Sequence, residues 1–195
     1  MKCGTWGTWS PLWLCGPTLS GSTVGIVGLG RIGNAVAKRL RPFGIEKLLY
    51  TGRHRKDYDA ETNAEFVPME FLLQNSDFVI VTCALTADTK EMFNKDSFRK
   101  MKNSAIFVNT SRGGLVNQSD LCDALKSGEI YGVGLDVTSP EPLPTDSPLL
   151  SLDNCVVLPH IGSATVDTRS KMAELCALNI LAALNGKPMP AEVKL

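Results

Sequence analysis

The chain has 195 residues, of which 44% are hydrophobic and 21% are charged, so it can bury one sizeable core and is not expected to be disordered. Twenty lysines and arginines balance twenty aspartates and glutamates, and a net charge of zero offers no basic field for nucleic acid or an anionic membrane. No stretch reaches the roughly eighteen apolar residues that a membrane-spanning helix needs. The composition therefore favours a small-molecule partner over nucleic acid or a membrane.

The cysteines do not form a C-x-x-C pair, and several lie in apolar runs, which predicts reduced, mostly buried thiols rather than a disulfide framework or a zinc site. They are Cys3, Cys15, Cys83, Cys122, Cys155 and Cys176. Residues 9–15 are similar to the apolar part of a signal peptide, but Ser10 and Pro11 interrupt them and Gly16 follows, which argues against that interpretation. We therefore expect a cytosolic protein.

From residue 23 onward, short apolar runs alternate with helical patterns. Strands are predicted over residues 23–28, 45–50, 77–83, 105–109, 130–137 and 155–158, and helices over residues 31–43, 68–74, 95–101, 117–126 and 165–184. This alternation predicts an α/β fold with a Rossmann-type, doubly wound parallel sheet. The first helix has one apolar face that we expect to be buried, formed by Ile32, Val36, Leu40 and Phe43.

A glycine-rich turn follows the first predicted strand and opens the first helix. It reads Gly-Leu-Gly-Arg-Ile-Gly over residues 28–33, the G-x-G-x-x-G pattern of dinucleotide-binding domains. Gly28 permits the tight turn, Gly30 lets a pyrophosphate approach the backbone, and Gly33 lets helix and strand pack closely. The structural alternative is a glycine-rich turn that serves only the packing of the helix on the strand. A methyltransferase that uses S-adenosylmethionine, which also has such a loop, is the rival ligand class.

The end of the second strand lacks the acidic residue with which NAD-specific domains hold the ribose hydroxyls. Three permanent cations and a histidine stand there instead, namely Arg53, His54, Arg55 and Lys56. Arg53 and Arg55 can bind a 2′-phosphate through charge-assisted hydrogen bonds. The sequence therefore predicts NADPH in preference to NADH. The alternative is an ordinary solvated turn.

Three residues suited to catalysis follow the later strands. Arg112 comes after the fourth strand, and a guanidinium pairs bidentately with a substrate carboxylate and polarises a neighbouring keto oxygen. Reduction of a ketone also needs a proton donor that titrates near neutrality, and His160 lies at a strand-to-helix junction. A carboxylate such as Glu141 would favour its imidazolium form. Taken one at a time, Arg112 could belong to a surface turn, His160 could cap a helix, and Glu141 could be an ordinary loop charge. Because all three follow successive strands of one sheet, together they predict a catalytic group.

These motifs resemble those of the D-2-hydroxyacid dehydrogenases. The segments GLGRIG, SRGG, GLDVTSPEPL and LPHIGSAT occur in that family's order and spacing and cover residues 24–164. The tryptophan-bearing start over residues 6–16 and the tail Pro-Met-Pro over residues 188–190 are most similar to the animal branch of the family that reduces glyoxylate and hydroxypyruvate. Where the family usually has Pro-Leu-Thr after the third strand, this chain has Ala84, Leu85 and Thr86.

The resemblance implies direct hydride transfer from NADPH to C2 of a small 2-oxo acid such as glyoxylate or hydroxypyruvate. It implies that Arg112 binds the carboxylate, that His160 is the proton donor, and that Glu141 tunes His160. Asp136 would orient the nicotinamide or the substrate. Further contacts are implied at the pyrophosphate (Gly30, Arg31 and Ile32), at the cofactor through the backbone (Ala84 and Thr110), and on the substrate side (Ile161, Gly162 and Ser163).

Members of that family carry a substrate domain of roughly a hundred residues before the cofactor domain, whereas fewer than thirty residues precede the glycine-rich turn here. We therefore expect a truncated form. Residues 1–17 would be an arm that crosses to a second subunit and makes a homodimer, and residues 18–162 the NAD(P)-binding domain. Residues 163–195 would be the C-terminal helix and tail of an incomplete substrate domain, with an apolar face that is exposed or covered by another chain. An NADPH-binding module without useful turnover is the alternative function.

Overall fold

A computed structural model describes Gly4 and residues 6–56 and 62–192. Its seven strands are β1 (Thr23–Val27), β2 (Lys47–Thr51), β3 (Glu65–Phe66), β4 (Phe78–Val81), β5 (Ile106–Asn109), β6 (Gly132–Leu135) and β7 (Cys155–Val157). They form one parallel sheet in the order β3-β2-β1-β4-β5-β6-β7. Because the order reverses between β1 and β4, the carboxyl ends of these strands form the crevice in which such sheets bind ligands.

The described helices lie between these strands, except for the last, which follows β7. They are α1 (Arg31–Leu40), α2 (Met69–Asn75), α3 (Lys95–Arg99), α4 (Gln118–Ser127) and α5 (Val166–Leu184), with short 3-10 turns at Arg41–Phe43, Gly113–Leu115 and Pro148–Ser151. Asn117 caps α4 by accepting a hydrogen bond from the N–H of Asp120, and Gly128 ends the helix in the left-handed conformation. The α/β class and the doubly wound parallel sheet predicted from the sequence are confirmed.

The core lies on both faces of the sheet. Val24 and Ile26 of β1 pack in one cluster with Ala37 of α1. Val79 and Val81 of β4 belong to the second and larger cluster, which also contains Phe93, Phe98 and Phe107. The ring centroids of Phe93 and Phe107 lie 4.8 Å apart. Because helices cover both faces of the central strands, these strands appear in the sequence as nearly unbroken apolar runs.

The predicted buried face of α1 is partly wrong. Ile32 is 67% exposed and Phe43 is 61% exposed, whereas Gly33 and Ala37 are the buried residues of this helix. Val36 and Leu40 pack against the core, as predicted, but the helix makes its closest approach through small side chains, and Ile32 and Phe43 turn toward solvent. The spacing of apolar residues does not reveal this close approach.

Three further predictions need correction. The strands are shorter than their apolar runs, and the two-residue strand β3 was not predicted because it is too short to show a period. The thiols are not mostly buried: of the five described cysteines, all free, only Cys122 is buried, and Cys15 and Cys176 are exposed. Cys3 lies outside the described residues, as do residues 1–2, 5, 57–61 and 193–195.

The two ends of the described chain pack little. In the predicted arm, Trp9 is 80% exposed and Leu14 is 83% exposed. Helix α5 has no buried residue along its whole length, although Leu178, Leu181 and Leu184 are large and apolar. The apolar side chains of this helix are thus exposed within the described chain, and whether another chain covers them stays a prediction. Among the described residues, no helix is both long and apolar enough to cross a membrane.

Candidate active site

The glycine-rich turn is held at the junction of β1, β2 and β4. The N–H of Gly28 donates to the carbonyl of Thr51 (2.9 Å), and the hydroxyl of Thr82 donates to the carbonyl of Gly28 (2.7 Å). Gly28 has a φ of 98°, and a Cβ added to it would lie 2.7 Å from the Cα of Cys83. Glycine is therefore required at this position for both its backbone conformation and its close contact.

The beginning of α1 fits the pyrophosphate of a dinucleotide. Gly30 is the N-cap, it has no side-chain cap, and the first turn of α1 carries no acidic residue. A Cβ added to Gly30 would meet no atom within 4 Å, so the space beside this helix end is open. The next residues, Arg31 and Ile32, are exposed. Free N–H groups at an open helix N-terminus suit an anionic ligand.

The four predicted 2′-phosphate contacts follow β2 directly. Arg53, His54 and Arg55 are exposed and Lys56 is half-buried. The N–H of Lys56 donates to the hydroxyl of Tyr50, 2.9 Å away, which ties the end of this turn back to β2. The turn therefore presents cationic side chains at the same edge of the sheet as the glycine-rich turn, where the ribose end of a dinucleotide would lie.

The next two strand ends carry the other predicted cofactor contacts. Ala84 follows β4 and Thr110 follows β5, and both are exposed. The two turns are tied together because the hydroxyl of Ser111 donates to the carbonyl of Cys83. The backbones of the turns after β4 and β5 thus lie side by side, next to the glycine-rich turn.

Arg112 is presented by a turn that the side chain of Asn109 organises. Asn109 is fully buried, its Oδ1 accepts the N–H of Ser111 (3.0 Å), and its Nδ2 donates to the carbonyl of Arg112 (3.0 Å). The Arg112 side chain is exposed, and its Nη1 donates to the carbonyl of Ser111 at 2.6 Å. Much of the guanidinium fork remains open to a carboxylate.

Glu141 and His160 form a pair. Nδ1 of His160 lies 3.0 Å from Oε2 of Glu141, and the other carboxylate oxygen accepts the N–H of Thr138 at 2.9 Å. The hydrogen bond with His160, followed by the one from Thr138, holds the pKa of Glu141 below its ordinary value of 4.5, and the charge of Arg112 acts in the same direction. Glu141 is therefore ionised at neutral pH.

Asp136 fixes the loop that carries His160. This side chain is buried, and its two carboxylate oxygens accept the N–H groups of Ile161 (2.7 Å) and Gly162 (2.8 Å). His160 itself has a φ of 55°, in the left-handed region that few non-glycine residues adopt. Asp136 thus joins the end of β6 to the loop after β7, a contact that the sequence did not predict.

A cavity of about 570 Å³ adjoins this pair. It is lined by Asp136, Thr138, Glu141, Pro142, Leu143, Leu150, Val157, Leu158, Pro159 and His160. Ser163, the last of the predicted substrate-side residues, is half-buried in the same loop. A mostly apolar cavity with a few convergent polar groups is typical of a small-molecule site.

The structure brings some of the predicted site residues together and separates others. Glu141 and His160 are in contact, and Arg112 is near enough to influence the carboxylate of Glu141. His54 follows β2, which is separated from β7 in the sheet by four strands, so it belongs with the cationic turn and not with His160. Its contact with a 2′-phosphate stays a prediction.

The residues that hold the site in place were not predicted from the sequence. Asn109 makes an Asx turn, for which the signal is an asparagine two residues before Ser111. Thr138 and Gln118 also bond to the loop of Glu141, but no local pattern marks them.

Comparison with known proteins identifies the family. The family model described as "D-isomer specific 2-hydroxyacid dehydrogenase, NAD binding domain" matches residues 1–162. The chain belongs to this family. The predicted resemblance is confirmed, a nicotinamide dinucleotide is the cofactor class of the matched domain, and the methyltransferase alternative is excluded.

Individual relatives of this chain agree with the family match. It is 60% identical to a mouse protein and 59% identical to a human protein, both named glyoxylate reductase/hydroxypyruvate reductase, over the whole chain and 60% of each relative. The crystal structure of a glyoxylate reductase from Paecilomyes thermophila superposes with a TM-score of 0.81 at 37% identity, covering 86% of this chain and 51% of that one. The chain thus spans about 60% of the length of the curated relatives it matches.

Proposed function

We propose that this chain serves the reduction of small 2-oxo acids, glyoxylate and hydroxypyruvate, to 2-hydroxy acids with NADPH. The observation that carries the proposal is the 3.0 Å contact between Glu141 and His160 beside an exposed Arg112. The names of the mouse and human relatives support the substrate class.

His160 is the proton donor in this proposal. When bound, a reduced nicotinamide supplies a hydride to C2, and the carbonyl oxygen then needs one proton. Nδ1 of His160 is engaged with Glu141, so Nε2 is the ring nitrogen left to give that proton. The Glu141 carboxylate engages Nδ1 and so fixes the orientation of the ring.

Arg112 binds the carboxylate of the 2-oxo acid. Its guanidinium can form two parallel hydrogen bonds with that group and can also polarise the adjacent keto oxygen. Ile161, Gly162 and Ser163 line the substrate side. Asp136 accepts the N–H groups of Ile161 and Gly162, so it orients the substrate loop through the backbone.

The cofactor would be held along the carboxyl edge of the sheet. Gly28, Gly30 and Gly33 shape the turn, and the N–H groups of Arg31 and Ile32 would hold the pyrophosphate. The cationic turn would hold the 2′-phosphate through Arg53, His54, Arg55 and Lys56. Ala84 and Thr110 would contact the cofactor through their backbones.

The deciding experiment is a fluorescence titration of the chain with NADPH and then NADH, followed by addition of glyoxylate. We expect tighter binding of NADPH and oxidation of the bound cofactor. The matched variant is His160→Asn, since asparagine tolerates a positive φ; it should bind NADPH as the wild type does and lose turnover by about a hundredfold or more. Binding without oxidation would support the alternative, a cofactor module without useful turnover, and absence of binding would contradict both.

NADPH preference is tested at Arg53. We expect Arg53→Ala to weaken NADPH binding by about tenfold and to leave NADH binding nearly unchanged, because only NADPH carries the 2′-phosphate. Arg39→Ala is the matched control, since Arg39 is exposed at the far end of α1 and bonds to the carbonyl of Ala35. Equal weakening of both cofactors would contradict the assignment.

We also propose that residues 1–17 are an arm through which the protein forms a homodimer, that residues 18–162 are the cofactor domain, and that residues 163–195 belong with the substrate domain. The exposure of Trp9, Leu12 and Leu14 supports the arm. Light scattering should give a dimer for the full chain and a monomer after deletion of residues 1–17. A monomeric full chain would contradict the arm's role.

We propose the cytosol as the compartment of the protein, which cell fractionation would test.

A further inference from the structure

Gln118 makes two hydrogen bonds to the loop that carries Glu141. It is the first residue of α4, its Nε2 donates to the carbonyl of Ser139 at 2.6 Å, and its Oε1 accepts the N–H of Ser139 at 2.9 Å. One side-chain amide therefore pairs with both backbone polar groups of a single residue. A neighbouring strand would make the same pair of bonds in an antiparallel sheet.

The loop has few backbone donors with which to hold itself. Pro140 and Pro142 lack an N–H group, so Ser139 and Glu141 carry the only backbone donors between Thr138 and Leu143. Because Gln118 takes the Ser139 donor and also satisfies the Ser139 carbonyl, it is a principal anchor of this segment.

The anchored residue is adjacent to the one that orients Glu141. The N–H of Thr138 donates to Oε1 of Glu141 (2.9 Å), and its hydroxyl donates to the carbonyl of Pro140 (2.8 Å). Oε2 of Glu141 then meets His160. A displacement of the peptide between Thr138 and Ser139 therefore changes how the carboxylate faces the imidazole.

The turn that carries Arg112 contacts the peptide between Thr138 and Ser139. A Cβ added to Gly113 would lie 1.9 Å from the carbonyl oxygen of Thr138 and 2.6 Å from the nitrogen of Ser139, so the two backbones are in direct contact. The turn that carries Arg112 and the loop that carries Glu141 therefore pack directly against each other. Gln118 bonds to the loop next to this contact.

We propose that Gln118 is a positioning residue that holds Ser139 in place and thereby keeps Glu141 on His160. The inference rests on the proposed function, in which this pair serves proton donation. Gln118 is not needed to hold α4, because the buried residues of that helix are Leu121, Cys122, Ala124 and Leu125.

The test compares wild type with Gln118→Met, which keeps the length of the side chain and removes both bonds. Gln118→Glu keeps the acceptor for Ser139 N–H and loses the donor, and Ser119→Ala, at the exposed next residue of α4, is the control. Carbon-13 NMR follows the titration of the Glu141 carboxyl, identified by its absence in Glu141→Gln. Kinetics with NADPH and glyoxylate give kcat and KM separately.

We expect Gln118→Met to raise the pKa of Glu141 toward 4.5, because the bonds from His160 and Thr138 that lower it are weakened while Arg112 stays in place. We expect kcat to fall by about tenfold, a fraction of the hundredfold loss that a 1 Å misplacement can cause. KM should change by less than about twofold, since the substrate carboxylate is held by Arg112. Gln118→Glu should be at least as impaired as Gln118→Met, because its second oxygen meets the Ser139 carbonyl in a repulsive contact, and Ser119→Ala should match wild type.

A lowered thermal midpoint with an unchanged Glu141 titration would overturn the proposal, and so would an equal effect of Ser119→Ala. The titration needs no turnover. If the chain oxidises no cofactor, the proposed function fails, and the carboxyl titration still decides whether Gln118 positions Glu141.

Discussion

At the scale of single residues, the candidate active site is held by polar side chains that bond to backbone groups of neighbouring loops. Asp136 is the clearest case, since its two oxygens accept the N–H groups of Ile161 and Gly162. These bonds fix the loop whose first residue, His160, has a φ of 55°. A backbone conformation that few residues adopt persists only where its surroundings impose it, and Asp136 supplies that constraint here.

Replacing Asp136 with asparagine should loosen this loop. An asparagine keeps one acceptor oxygen and turns an amide donor toward a backbone N–H, so one bond is lost and one repulsive contact is created. We expect the free energy of unfolding to fall by about 1–3 kcal/mol, measured by urea titration with far-ultraviolet circular dichroism.

The control for this prediction is Asp146→Asn, because Asp146 is exposed in the loop between β6 and β7. It should leave the stability within about 0.5 kcal/mol of wild type. Equal stability of Asp136→Asn and wild type would contradict the role given to Asp136.

The positions of the candidate catalytic side chains were predictable, but the residues that hold them in place were not. Arg112, Glu141 and His160 stand directly after predicted strands, and parallel strands bring their carboxyl ends to one edge. The partners of Gln118 and Asp136 lie 21 to 26 residues away along the chain. Such contacts depend on the path of the loops, which no local pattern encodes.

At the scale of elements, the contact between α1 and the sheet depends on missing side chains. A Cβ on Gly33 would lie 2.4 Å from the carbonyl oxygen of Gly28 and 2.8 Å from the hydroxyl of Thr82. This close approach also explains the error in the predicted face of α1. Apolar spacing located the helix, but its fully buried contact is made by a glycine and an alanine, with Val36 and Leu40 only partly buried beside them.

Two alanine substitutions in this turn should have opposite consequences. Gly33→Ala should cost about 1–3 kcal/mol of folding stability, because a backbone carbonyl has to move. Gly30→Ala should fold normally, since its Cβ meets no atom within 4 Å, but it should weaken NADPH binding because the methyl group occupies the open space at the helix N-terminus. Urea unfolding and cofactor titration measure both, and a stable Gly33→Ala or an unimpaired Gly30→Ala would contradict this account.

At the scale of the whole molecule, the sheet with its covering helices is densely packed, whereas the described arm and α5 are not. Six of the seven strands, with the helices that cover them, contribute to two core clusters. The 19 residues of α5 contribute none of the buried residues. The alternating pattern predicted the packed region well because each apolar run has a partner within the described chain.

Leucines in the two regions should therefore differ in their contribution to stability. Leu121→Ala in α4 should cost about 2–5 kcal/mol, because it leaves a cavity in the core. Leu178→Gln and Leu181→Gln in α5 should each change the free energy of unfolding by less than about 0.5 kcal/mol, because both side chains are about half exposed. Comparable losses in the two helices, measured by urea unfolding, would contradict this division.

The exposure of the arm has an optical consequence. All three tryptophans of the sequence, Trp6, Trp9 and Trp13, lie in the arm, and each is at least 47% exposed. Their emission therefore starts near the wavelength of tryptophan in water and should change little when the sheet unfolds. A shift to shorter wavelength with rising protein concentration would report the arm moving into an apolar setting on a second copy, which makes the natural indole signal a label-free gauge of assembly.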